Sequence, residues 1–158
     1  MDNRFEFQQL FPDLQWEVIM KMSDQELVNL CRSSNAMETF CNTRYWFWRE
    51  RIKSQFGLDS SDPTIQQMLI DNGNNWFRVY FVLVRLNKLK QKLSPRLDQY
   101  NLTDLYNLQE LNLSTNQLTE VPREIGNLTN LQRLYLSNNQ LTDPNSIKQW
   151  LPNVNLFL

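Results

Sequence analysis

The chain contains no histidine. That removes both the commonest general base and the commonest metal ligand. Two cysteines, Cys31 and Cys41, are too few to build a tetrahedral zinc site. Glycine is scarce, occurring only at positions 57, 73 and 126. The chain therefore has neither a G-x-x-x-x-G-K-[ST] phosphate loop nor a G-x-G-x-x-G turn. No apolar run approaches the length of a membrane span. The opening stretch MDNRFEFQQL is polar and acidic, unlike a secretory signal. Charge of either sign is not in excess. A net charge of −1 gives no electrostatic reason to expect nucleic acid or an anionic membrane as partner. These absences predict a chain that is not an enzyme and takes no cofactor and no metal. The two cysteines fall in segments with separate helical patterns. A disulfide framework is not expected, and a reducing compartment, cytoplasmic or nuclear, fits their usage.

What is present is a repeat. LQELNLSTNQL and LQRLYLSNNQL are nearly one sequence written twice. Leu108, Leu111, Leu113, Asn116 and Leu118 recur as Leu131, Leu134, Leu136, Asn139 and Leu141, with a constant offset of 23 residues. The pattern L-x-x-L-x-L-x-x-N-x-L is that of a leucine-rich repeat, which stacks into a solenoid. Its leucines are expected to point inward. Its asparagines, Asn116 and Asn139, are expected to be buried with their amides bonding the turning backbone. Residues 101–108 read as an abbreviated earlier coil. Leu156-Phe157-Leu158 reads as the strand of a later one, which the chain leaves incomplete and uncapped. Strand side chains alternate, so Glu110, Asn112, Ser114, Arg133, Tyr135, Ser137, Asn155 and Phe157 should share the face opposite the leucines. Of these, Asn112, Ser114, Arg133, Tyr135, Ser137 and Phe157 are the candidate target-binding residues. Tyrosine, phenylalanine and arginine on a small polar face suit a protein or peptide surface better than a deep small-molecule site.

The rest of the chain is helical in pattern. Pro12 opens a helix carrying Leu14, Val18 and Met22. Ser23 to Glu26 is a capping box for a second helix. Asn35 to Glu38 resembles another, opening a third that ends near Cys41. Thr43 is positioned to cap a fourth, YWFWRERIKSQF, which Gly57 stops. Its cluster Tyr45, Trp46, Phe47 and Trp48 reads as core plus partly exposed interface. Asp62-Pro63 starts a short helix. The longest pattern runs over 75–92 and ends at Ser94-Pro95, with Lys88, Lys90 and Lys92 as a solvated helix end. The expected divisions are 1–57, 58–94 and 95–158.

The segment FPDLQWEVIMKMSDQELVNLCRSSNAMETFCNTRYWFWRERI resembles an F-box. Phe11-Pro12 stands where that family has Leu-Pro. Val18, Ile19 and Met22 match the first helix, and Glu26-Leu27 takes the place of Asp-Leu. Leu30 and Ser34 match the second helix and its turn, Met37 and Phe40 the third helix, and Trp48 the late tryptophan. Phe11 departs from the pattern, and the spacing from Pro12 to Leu27 is about one residue short. A second register would start at Leu14-Gln15-Trp16-Glu17. The divergent motif, NNWFRVYF and the high Asn/Gln usage also resemble proteins of large DNA viruses of amoebae.

The resemblance implies an α+β fold: an all-α F-box-like domain followed by a short leucine-rich-repeat solenoid. It further implies a substrate-recruiting adaptor of a Skp–cullin–F-box ubiquitin ligase, acting in the cytoplasm or nucleus of a eukaryotic or infected host cell. Phe11, Pro12, Leu14, Val18, Ile19, Leu27 and Leu30 would then bind the Skp-type adaptor of the cullin complex, and the repeats would hold an unidentified target. The alternative is a leucine-rich-repeat interaction module with a helical cap and no ligase role. An exposed apolar patch over residues 11–30 would separate the two, because a cap would bury it.

Overall fold

The computed structural model describes residues 19–158. The chain divides into two compact units, with the boundary between Tyr80 and Phe81. The first unit begins, among the described residues, with a helical turn at 19–21. Four helices follow: α1 (Asp24–Arg32), α2 (Asn35–Thr43), α3 (Tyr45–Phe56) and α4 (Pro63–Asp71). The long helix α5 (Trp76–Lys92) carries the boundary within it. The second unit continues with α6 (Leu102–Asn107), β1 (Glu110–Asn112), a 3-10 turn at Arg123–Asn127, β2 (Arg133–Tyr135), a 3-10 turn at Pro144–Ser146, α7 (Ile147–Trp150) and β3 (Asn155–Phe157).

Local chemistry sets most helix ends. The Ser23 hydroxyl accepts from the Glu26 N–H, and the Glu26 carboxylate accepts from the Ser23 N–H at 2.7 Å, so α1 opens with the expected capping box. Gly57 closes α3 in the left-handed region at φ 68°. Asp62 caps α4 ahead of Pro63, as its sequence predicts. Two caps differ from expectation. Ser34 rather than Asn35 starts α2, accepting from the Met37 N–H. Thr43 does not cap α3, because its hydroxyl turns back to the carbonyls of Thr39 and Phe40. A serine or threonine late in a helix has those carbonyls in reach, and here they win over the next helix's amides.

Phe47, Trp48, Ile52, Ile65, Met68, Val79 and Tyr80 make the core of the first unit. Trp48 packs on Phe77 and Tyr80 at ring separations of 5.1 and 5.2 Å, and its indole N–H donates to the Cys41 carbonyl at 2.6 Å. Tyr45 and Trp46 stay exposed, as the split of that aromatic cluster implies. Arg51 is buried. Its guanidinium donates to the carbonyls of Ile19, Met20 and Met22 and, at 3.0 Å, to the Tyr80 hydroxyl. Those carbonyls lie at the end of the 19–21 turn, where the Ile19 carbonyl also accepts from the Met22 N–H at 3.3 Å. Asp24 stands 3.9 Å from the guanidinium and accepts from the Tyr80 hydroxyl. Burial is the main cause that holds the phenol proton on Tyr80 well above the ordinary range.

The cysteine expectation is corrected. Cys31 and Cys41, in separate helices as anticipated, are joined in a disulfide, with Cα atoms 5.8 Å apart. The turn at 33–34 folds α2 back on α1 and brings the two positions within bonding reach.

In the second unit the three strands form one parallel sheet in the order β1-β2-β3. The register follows the sequence offset: Leu111, Leu134 and Leu156 are partners, flanked by Glu110, Arg133 and Asn155 on one side and Asn112, Tyr135 and Phe157 on the other. Leu111, Leu113, Leu118, Leu131, Leu134 and Leu136 are buried together with Val121, Ile125 and Leu128. Each contributes roughly 1.5–3 kcal/mol by transfer from water. Residues 101–108 do not form a strand-bearing coil. They form α6, because Asn101 and Asp104 make a capping box at its start.

The asparagines explain how the coils turn. Asn139 donates to the carbonyls of Leu136 at 2.7 Å and Leu113 at 2.8 Å, and its carbonyl accepts from the N–H groups of Leu118 at 2.9 Å and Asn116 at 3.1 Å. One side chain thus satisfies four backbone groups, three of them in the preceding coil. Asn116 has no such coil before it. Its amide donates to the Ser114 carbonyl, and Arg96 supplies the donors instead, to its side-chain oxygen at 3.1 Å and its carbonyl at 2.9 Å. Both asparagines are half-buried rather than fully buried.

The lysine-rich end of α5 is not simply solvated. Lys92 donates to Glu124 at 2.8 Å, Lys88 lies 3.4 Å from the same carboxylate oxygen, and Lys90 donates to the carbonyls of Asp98 and Tyr100. The hydrogen bond from Lys92 pulls the Glu124 carboxyl below its ordinary value, against the opposing effect of burial.

Three predictions follow from these contacts. Asn139→Leu strands backbone donors and acceptors at a cost on the order of 1–3 kcal/mol per group, and Asn116→Leu costs less; urea unfolding of both variants checks the order. Thr115, whose repeat counterpart is Asn138, sits at φ 58°, where a β-branched residue is strained and asparagine is tolerated. Thr115→Asn should therefore stabilise the chain by about 1 kcal/mol in the same assay. Glu124 has a folded pKa below its unfolded one, so its contribution is fully present above about pH 4.5 and is lost as pH falls through the folded value. Glu124→Gln should lower stability near neutral pH and flatten the acid limb of the stability profile below that point.

Candidate functional site

The outer face of the sheet brings the sequence-predicted target residues together. It is a grid of three strands roughly 5 Å apart. One row holds Glu110, Arg133 and Asn155, and the next holds Asn112, Tyr135 and Phe157. Ser114 and Ser137 extend it along the strands, each half-buried. The alternation that buries Leu111 and Leu134 necessarily turns these side chains outward.

Two interactions organise the face. Tyr135 and Phe157 stack with ring centroids 4.6 Å apart and planes within 13°. Phe157 remains 43% exposed and Tyr135 is half-buried, so the pair forms a flat apolar wall open to solvent. Arg133 and Glu110 form an ion pair at 2.6 Å, both about half exposed. The sequence places Glu110 on this face without a role. The signal that pairs it with Arg133 lies in the sequence: opposite charges at equivalent positions of successive repeats. In such solvent the pair contributes under about 1 kcal/mol, but it fixes the guanidinium over the strand it faces. Asn112 accepts from the Ser114 N–H at 2.9 Å, which orients its amide. The Ser137 hydroxyl leans on the Phe157 carbonyl. The arrangement can hold a ligand by packing and hydrogen bonding. Among the described residues no group of three or more Asp, Glu, His or Cys side chains could hold a metal ion.

Of the second candidate set only Ile19, Leu27 and Leu30 lie among the described residues. Phe11, Pro12, Leu14 and Val18 lie outside the described residues. Ile19 and Leu27 are buried, and this corrects their assignment as contact residues: their side chains fill the interior. Leu30 is half-buried, as are Met22 and Val28. Among the described residues of 11–30 the apolar side chains are thus buried or half-buried, and none is fully exposed. Among the described residues of this unit the large apolar side chains left exposed are Tyr45, Trp46 and Ile70. Trp46 lines a shallow cleft of about 270 Å³ with Arg49, Glu50, Lys53, Asp59 and Ser60. Asp59 there has its carboxyl held below the ordinary range, chiefly by the Ser61 hydroxyl.

No curated protein and no solved structure matches this chain. No F-box match is found in it. Residues 93–141, which span Leu108 to Leu141 and with them both copies of the repeat, match the leucine rich repeat family.

Proposed function

We propose that this chain is a protein–protein interaction module that holds a partner on the outer face of its three-stranded sheet. The observation that carries the reading is the stacked, solvent-facing pair Tyr135 and Phe157 on a face set out by leucine-rich repeats. Aromatic side chains held rigid in a neighbouring pair lose little entropy on binding and serve as interface anchors. Arg133, Asn112, Ser114 and Ser137 surround them with groups able to donate or accept hydrogen bonds. The reading assigns no catalysis, cofactor or metal to the chain. It places no nucleic acid or membrane among the partners, in keeping with a net charge of −1. A short solenoid, in which the three strands mark successive coils, is part of the same proposal.

The finer reading, a substrate adaptor of a Skp–cullin–F-box ligase, rests on the F-box-like order of residues 11–48. Helices α1 to α3 begin close to where that order expects helices, and Leu30 is half open to solvent. The buried Ile19 and Leu27 leave fewer apolar contacts for an adaptor. In this reading the chain works by raising the effective concentration of a target beside the ligase.

Two measurements test these proposals. Cells carrying tagged parent or a Tyr135→Ala/Phe157→Ala variant should differ in the proteins that co-purify, with at least one partner kept only by the parent; identical sets would overturn the sheet-face assignment. Titration of the intact chain with the Skp-type adaptor of its host should give binding at tens of micromolar or tighter if the ligase reading holds. A flat titration rejects that reading and leaves the interaction module in place.

A further inference from the structure

The chemistry of the sheet face narrows its partner. Its only charged side chains, Glu110 and Arg133, are spent on each other at 2.6 Å. Every other member of the two rows, Asn112, Asn155, Tyr135 and Phe157, is neutral. A charged ligand group placed here meets no unpaired opposite charge on the face, and beside the two rings it meets apolar surface. The wall itself is well defined, since the two rings stack within 13° of parallel. Asn112 and Asn155 stand on the two outer strands, across two strand spacings of roughly 5 Å each. Each primary amide carries both donors and acceptors, the complement of a peptide backbone.

Resting on the interaction-module reading above, we propose that the face binds an uncharged, extended peptide segment. One apolar side chain, aromatic, proline or aliphatic, lies on the Tyr135–Phe157 stack, and the flanking backbone pairs with the amides of Asn112 and Asn155. Three strands and two rows cover roughly 10 by 7 Å, room for about three or four extended residues. So small a footprint sits far below that of a stable protein–protein interface, so the contact is weak and reversible.

The test is selection of a random heptapeptide library on the intact immobilised chain, followed by titration of the enriched peptides in solution. The expected peptides are near neutral and share an aromatic, proline or leucine residue. Their affinity should change little between about 50 and 500 mM salt. Tyr135→Ala should weaken them at least about tenfold. The double variant Glu110→Gln/Arg133→Gln, which removes the ion pair and leaves the wall, should bind within about threefold of the parent. Circular dichroism of each variant confirms that it is folded. Enriched peptides that are strongly acidic or basic, lose affinity with salt and are lost in Tyr135→Ala would overturn the neutral-peptide assignment while leaving the sheet face as the binding surface. Peptides unaffected by Tyr135→Ala, or no enrichment at all, would overturn both.

Discussion

The second unit depends on the hydrogen-bonding needs of a backbone that must turn every coil. A chain that reverses direction inside a leucine core leaves N–H and C=O groups where water does not reach, and each stranded group costs on the order of 1–3 kcal/mol. Asn139 meets four such groups with one amide, joining its own coil to the one before it. Backbone bonds from Leu113 to Tyr135 and from Leu136 to Phe157 then hold the strands side by side. The outer face inherits its order from this arrangement. Tyr135 stacks on Phe157, and Arg133 reaches Glu110, because the leucines behind them share one register.

The first unit solves the same problem with a charge. Carbonyls at the end of the 19–21 turn face Arg51, which is itself held by Tyr80 and Asp24. A buried cation is costly unless its donors are filled, and here backbone oxygens fill most of them. The two units thus use a neutral amide and a guanidinium for equivalent tasks. The amide is local and recurs with the repeat. The guanidinium is long-range, joining residues about thirty positions apart in the chain.

That difference explains what could be read in advance. A repeat writes its contacts at fixed offsets, so the strands, their register, the inward leucines and the residues of the outer face were all legible from 108–158. The capping box at Ser23, the stop at Gly57 and the start at Asp62-Pro63 were legible because a few adjacent residues determine them. Arg51 was not, because nothing near it in sequence marks its partners at 19–22 and Tyr80. The Cys31–Cys41 bond was missed for a similar reason: helical pattern gave the two helices but not the angle of the turn between them. Residues 101–108 misled because Asn-Leu-Thr-Asp-Leu echoes the repeat while carrying its own capping box, and the local signal prevailed. Lys88 and Lys92 of α5 read as part of a solvated end because Glu124, their partner, lies more than thirty residues on.

Arg96 has a meaning for how such an array grows. Asn139 finds three of its four backbone partners in the main chain of the coil before it, so a further copy of the 23-residue unit would need the same surface from its predecessor. At Asn116 that surface is replaced by a single arginine side chain. The two ends of the repeat pair are therefore unlike: a coil placed ahead of Asn116 would have to displace the guanidinium that now fills that position. One residue marks where the count of repeats begins.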